Sequence, residues 1–203
     1  MWLCPPGLRK DAQAALNYLL ADDELSQKPI VRIFRSTRRL LTLTFTIQIL
    51  YGQSLGGAVA IDLASRNPSK VSPGPKQRAT LNFCFIQRSQ VNALIVENTF
   101  TSLPGIVRGW PIIGIFSFIC LQKWDSASKL PRIPKALPIL MLSGDMDQVV
   151  PRNHMHTLWE IATKRGGNDT GSSEQSDVPP PSKDVFESFP WGSHGKWLFI
   201  SRF

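Results

Sequence analysis

The stretch Gly52-Gln53-Ser54-Leu55-Gly56-Gly57 limits the possible folds of this chain more than any other. A short apolar run, Ile49-Leu50-Tyr51, leads into it. Ala58, Val59, Ile61, Leu63 and Ala64 follow as a small-residue helix ending near Asn67-Pro68. A Gly-x-Ser-x-Gly between a strand and a helix is the tight turn that lifts a serine hydroxyl above the end of a parallel strand. The serine backbone is strained there, so bulky residues two positions either side are expected to clash. The start of the following helix offers N–H groups, that of Leu55 first, to negative charge developing on a substrate.

The rest of the chain reads as alternating strands and helices. Ala12, Ala15, Leu16, Leu19 and Leu20 form one apolar stripe, which predicts a helix over 11–20 packed against a sheet. Ala93-Leu94-Ile95-Val96 is a continuous apolar run suited to a strand buried on both faces. Leu137 to Leu142 and Val185 to Phe189 are further strands, and the Gly-, Ser- and Pro-rich stretch 166–182 reads as a flexible surface loop. Strands alternating with helices predict an α/β domain with a parallel sheet. At 203 residues one domain is expected.

Two more segments carry chemistry. Leu142-Ser143-Gly144-Asp145-Met146-Asp147-Gln148-Val149-Val150-Pro151 lies just past a strand end, where α/β folds place functional groups. A nucleophilic serine needs a carboxylate to orient its histidine, and Asp145 and Asp147 compete for that role. Glu97, after the Ala93–Val96 strand, is a third candidate. Phe189-Pro190-Trp191-Gly192-Ser193-His194 is a turn after the last strand, and His194 is the expected general base. His154 and His156, two apart on a predicted helix, do not share a face for a metal and read as surface residues. The order Ser…Asp…His, each after a strand, is that of the α/β-hydrolases, whose Gly-x-x-Asp-x-x-Val-Pro turn favours Asp147 as the acid.

Composition removes several alternatives. Cys4, Cys84 and Cys120 show neither disulfide-framework nor zinc spacing. The chain shows no secretory signal at Met1. The apolar runs Leu40–Leu50 and Trp110–Leu121 fall short of the ~20 residues that span a bilayer, and read as buried strand or helix. The net charge of +8 invites a nucleic-acid partner, but its distribution argues against one. Arg32, Arg35, Arg38, Arg39, Lys76, Arg78, Arg88, Lys196 and Arg202 sit in three stretches without acids and account for all of the excess. No nucleic-acid-binding motif surrounds them.

A closer resemblance rests on three segments besides the acid and histidine turns. Gly7 to Leu16, Leu50 to Ala64 and Val96-Glu97-Asn98-Thr99-Phe100 are similar to the bud-emergence ("Bem forty-six") family, close to mammalian α/β-hydrolase-domain protein thirteen. The resemblance implies the C-terminal portion of an α/β-hydrolase parallel sheet with flanking helices. It also implies a membrane-anchored serine hydrolase with Ser54, Asp147 and His194 as nucleophile, acid and base. Against that family, 1–203 reads as a single partial domain lacking the anchor, the first strands and the loop giving the second oxyanion-hole donor. Leu55 N–H is then the remaining donor. Residues 31–48 and 71–92 read as insertions, the first interrupting the nucleophile strand, and 195–203 departs from the family. Codons for Val31-Arg32, Val71-Ser72 and Gly195-Lys196-Trp197 can spell intron donors, which favours retained introns over a lineage-specific insertion.

The expected activity is acyl transfer to water from a small ester, thioester or amide, with no cofactor and no metal. The apolar stretch Leu103–Leu121 suits a cover favouring lipophilic acyl groups, and suits core packing equally well. The alternative is a catalytically inactive pseudo-hydrolase that binds partners or membranes.

Overall fold

Among the described residues four short strands form a parallel sheet, with helices packed on one of its faces. The computed structural model describes residues 5–21, 48–71, 91–108, 123–166 and 183–194. In chain order the elements are α1 (Pro5–Ala21), β1 (Gln48–Gln53), α2 (Leu55–Arg66), α3 (Pro68–Val71), β2 (Val91–Glu97), α4 (Leu103–Arg108), α5 (Ser126–Lys129) with the 3₁₀ turn Leu130–Arg132, β3 (Ile139–Gly144), α6 (Arg152–Thr163) and β4 (Val185–Phe189). The strand order is β1-β2-β3-β4, and every neighbouring pair is parallel. Right-handed crossovers that step one strand at a time in one direction place their helices on the same face.

The alternation along each strand shows which face that is. Leu50, Leu94, Val96, Ile139 and Met141 point into a core with Ile61, Leu63 and Ala64 of α2 and Met155, Leu158 and Ala162 of α6. On the opposite face Ile49, Tyr51 and Val185 are exposed. β1 has β2 on one edge and no partner strand on the other among the described residues. The helix α1 packs Ala12, Leu16 and Leu20 of the expected stripe while Ala15 and Leu19 are exposed, and it lies on α2 rather than on the sheet. Gln13 binds Asn67 and Arg66 at the far end of α2 and fixes that arrangement.

Two expectations meet the edges of what is described. Residues 31–47 and 72–90 of the expected insertions lie outside it, as do 109–121 of the apolar stretch, 167–182 of the expected loop and the departing stretch 195–203. Gln48, Val91 and Asn92, assigned to insertions from sequence, belong to the sheet. Gln48 pairs with Val91, and its N–H donates to Asn92 Oδ1 at 2.9 Å.

The β1–α2 turn is held by close backbone contact. Ser54 sits at φ 52°, ψ −122°, outside the regions a side-chain-bearing residue ordinarily occupies. Such a conformation costs about 1–3 kcal/mol and persists only when its surroundings enforce it. A Cβ on Gly52 would lie 2.3 Å from Gly56 O, so strand and helix backbones touch there. A Cβ on Gly57 would lie 2.6 Å from the Thr99 Cβ. Gly56, expected to be needed for space, has nothing within 4 Å of its Cβ position. The crowded pair is therefore Gly52 and Gly57, and Gly56 contributes backbone rather than room.

Asp62 anchors the helical layer. Its carboxylate is 2% exposed and meets Lys129 Nζ and Arg66 Nε at 2.8 Å and Arg9 Nε at 3.2 Å. Arg9 and Lys129 also lie over the buried Trp124 ring, each 5.4 Å from its centroid. Burial alone pushes the Asp62 carboxyl up. Lys129 and Arg66 outweigh it and hold the carboxyl below its ordinary value.

Two predictions follow from this packing. Asp62→Asn leaves three cations without their counter-charge and lowers unfolding free energy by about 2 kcal/mol, read by urea denaturation at neutral pH. The Asp62 contribution is complete above an unfolded-state pKa near about 3.9 and disappears as pH falls through the lower folded value, so the wild-type advantage vanishes in acid. Gly52→Ala destabilises the chain by about 1–3 kcal/mol, whereas Gly56→Ala is neutral or stabilising by up to about 1 kcal/mol. Thermal melts of the two variants test this contrast.

Candidate active site

All the candidate residues stand at the C-terminal ends of the strands: Ser54 after β1, Glu97 at the end of β2, Asp147 after β3 and His194 after β4. In a parallel sheet these ends point the same way, so the loops that carry them share one rim.

Of the three candidate acids, Asp147 meets the histidine. His194 Nδ1 lies 2.7 Å from Asp147 Oδ2. A carboxylate only accepts, so Nδ1 carries the hydrogen and Nε2 of the neutral ring is left as an acceptor. The other oxygen, Oδ1, accepts the N–H groups of Val149 and Val150, both at 2.8 Å. These bonds fold 147–150 into a turn that buries the carboxylate and leaves Oδ2 to His194. Asp145 is engaged elsewhere, accepting the Ser188 hydroxyl at 2.7 Å. Glu97 is fully buried, accepting from the Tyr51 hydroxyl and, at 2.7 Å, from Gln53 Nε2. Burial first, and then the Glu97 carboxylate, push the Tyr51 phenol up to about 12, which keeps it a donor.

The acid and histidine loops are zipped together by backbone. Met146 N–H donates to Gly192 O at 2.9 Å, and Asp145 N–H donates to Phe189 O at 3.0 Å. A Cβ on Gly144 would lie 2.5 Å from Gly192 O. This contact fixes how far His194 stands from Asp147. Sequence reading missed it, although a glycine directly after a strand is its signal.

Ser54 is placed by the strained turn. Its N–H donates to Glu97 O at 2.9 Å. Its carbonyl accepts from Gly57 N–H at 3.0 Å and from Thr99 Oγ1 at 2.8 Å. The N–H of Leu55, at the first position of α2, has no acceptor among the described residues, as expected for a helix start. The Ser54 hydroxyl makes no hydrogen bond to His194 among the described residues. Two of the three predicted side chains are therefore brought into contact, and the third stands on the same rim.

His154 corrects an expectation. It is buried on α6, not at the surface, and its Nδ1 lies 2.9 Å from Thr101 Oγ1. Burial holds it below the usual histidine value. His156 is exposed, with its ring 5.1 Å from that of Phe186. Among the described residues no group of His, Cys, Asp and Glu is arranged to hold a metal ion.

Relatives and solved structures agree with this architecture. The chain is 34% identical over 190 residues to protein Bem46 of Schizosaccharomyces pombe, covering 93% of this chain and 45% of that one. It is 29% identical to an uncharacterized membrane protein of Saccharomyces cerevisiae, covering 97% of this chain and 53% of the relative. It is also 29% identical to the α/β hydrolase domain-containing protein WAV2 of Arabidopsis thaliana, covering 95% and 49%. The chain thus spans about half the length of the curated relatives it matches. No family profile matches it. An α/β hydrolase from Vibrio vulnificus superimposes with a TM-score of 0.55 at 19% identity, covering 94% of this chain and 51% of that one. Est1E of Butyrivibrio proteoclasticus superimposes with a TM-score of 0.50 at 13% identity, covering 92% and 60%. Among the described residues no helix is long and apolar enough to cross a membrane. With its parallel sheet, its strained serine turn and these likenesses, the chain has the α/β-hydrolase fold and is similar to protein Bem46.

Proposed function

We propose that this hydrolase-fold chain carries out acyl transfer to water with Ser54 as nucleophile, His194 as base and Asp147 as the acid that orients it. The observation that carries the reading is the 2.7 Å Asp147–His194 contact on the same sheet rim as a serine held at φ 52°. Ser54 Oγ attacks an ester, thioester or amide carbonyl while His194 Nε2 takes its proton. Asp147 holds Nδ1–H and stabilises the imidazolium. Leu55 N–H donates to the oxyanion, and His194 returns the proton to the leaving group. Water then attacks the acyl-enzyme by the same route in reverse. The chemistry calls for no metal and no cofactor.

Apolar side chains support a lipophilic acyl group. Met146, Val149 and Trp191 lie on the acid and histidine loops and are exposed, Trp191 by 80%. Exposed apolar groups beside a reactive rim suit the aliphatic chain of a substrate. The yeast relative's name calls it a membrane protein, which favours a membrane-associated whole protein acting on such substrates.

The non-catalytic reading has one observation in its favour, the missing Ser54–His194 hydrogen bond. Such bonds are often long without substrate and tighten in the reactive complex, so this observation alone does not displace the hydrolase reading.

Turnover of a p-nitrophenyl ester by the full chain tests the proposal. Ser54→Ala lowers kcat/KM by at least about 10³-fold, and Asp147→Asn by about 10²–10⁴-fold. Asp145→Asn leaves the rate essentially unchanged. Turnover that survives Ser54→Ala overturns the assignment. A folded chain with no turnover supports the non-catalytic alternative.

A further inference from the structure

We infer that Asn98 and Thr99, in the turn after β2, are positioning residues that set the nucleophile and the acid turn relative to each other. The inference rests on the hydrolase reading above. β2 lies between the strand carrying Ser54 and the strand carrying the Asp147 turn, and its last residues bind both.

The Ser54 side comes first. Glu97 O accepts the Ser54 N–H, and Thr99 Oγ1 donates to the Ser54 carbonyl. The same short turn therefore grips both ends of the strained residue. Thr99 has little freedom to do otherwise. Its side chain rests where a Gly57 Cβ would sit, and its N–H donates to Met155 Sδ at 3.2 Å. The hydroxyl is a fixed donor aimed at one carbonyl.

Asn98 serves the other side. Its N–H donates to Leu142 O at 3.0 Å, and its Oδ1 accepts the Gly144 N–H at 2.7 Å. Gly144 in turn accepts the Asp147 N–H through its carbonyl at 3.3 Å. Asn98 stands at φ 41°, in the left-handed region that asparagine tolerates better than most side chains. That twist lets consecutive residues reach opposite neighbours. Among the described residues the Asn98 Nδ2 is buried without a partner, and the amide is held through Oδ1. A buried amide satisfied at one end is costly unless position matters more than saturation.

Each residue has its own readout in p-nitrophenyl ester hydrolysis by the full chain. Thr99→Val removes the donor at nearly constant volume and lowers kcat roughly 3- to 10-fold with little change in KM. Thr99→Ser, which keeps the hydroxyl, restores kcat. Asn98→Gly keeps the backbone conformation but loosens the Asp147 turn, and lowers kcat roughly 3- to 10-fold with little change in KM. Circular dichroism and thermal melts establish that each variant is folded, and Thr99→Ala replaces Thr99→Val if the latter is not.

Wild-type kcat in a folded variant lacking the Thr99 hydroxyl overturns the role of Thr99. So does a Thr99→Ser chain as slow as that variant, because packing alone then explains the loss. Wild-type kcat in a folded Asn98→Gly chain overturns the role of Asn98. If the wild-type chain turns over no ester, the hydrolase reading fails first and takes this inference with it.

Discussion

The backbone of Ser54 is clamped at both of its peptide groups, and much of the rim depends on that clamp. Its N–H is held by Glu97 O, and its carbonyl by Thr99 Oγ1 and Gly57 N–H. Contact between Gly52 and the backbone of Gly56 leaves the chain no wider path from strand to helix. A strained residue of this kind is stable only where several contacts determine it at once. Three supports meet here: the parallel pairing of β1 with β2, the packing of α2 on the sheet, and the turn after β2. The core of Leu94, Val96, Ile61 and Met141 is what keeps these supports in place.

The Asp147–His194 contact is held by a different device. Asp147 and His194 come from loops after neighbouring strands, stitched by the Met146–Gly192 and Asp145–Phe189 backbone bonds. Their side-chain contact therefore depends on the β3–β4 register more than on either loop alone. Asp147 divides its two oxygens, one shaping its own turn and one serving the histidine. β2 joins this unit to the serine turn. Glu97 and the two residues after it donate to and accept from both, so four adjacent strands present one chemical surface.

Much of this was legible in the sequence, for identifiable reasons. Strand runs such as Val185–Phe189 and the apolar stripe of α1 are local signals; the strand forms there, and the helix includes 11–20 but begins at Pro5. Asp147 and His194 were named from turn motifs. Sequence alone left Asp145 and Glu97 as rivals, because which carboxylate faces a histidine depends on loop geometry. Gly56 was assigned a steric role that belongs to Gly52 and Gly57, since contact between strand and helix is a three-dimensional fact. His154 was placed at the surface because the polar residues around it mask the buried face of α6, where Thr101 provides its partner. Gln48, Val91 and Asn92, at the edges of the stretches that read as insertions, pair between β1 and β2, a contact that no local signal shows. Asn98 and Thr99 carry no motif of their own, and only their hydrogen bonds reveal them.

The claim at the centre is that Ser54 is an activated nucleophile and not merely a turn residue. The most direct measurement is to treat the folded full chain with a fluorophosphonate, digest it and locate the adduct by mass spectrometry. The predicted result is one adduct, on the peptide containing Ser54, absent when the chain is denatured before treatment. A folded chain that takes up no phosphonate, or takes it up on another serine, contradicts the claim.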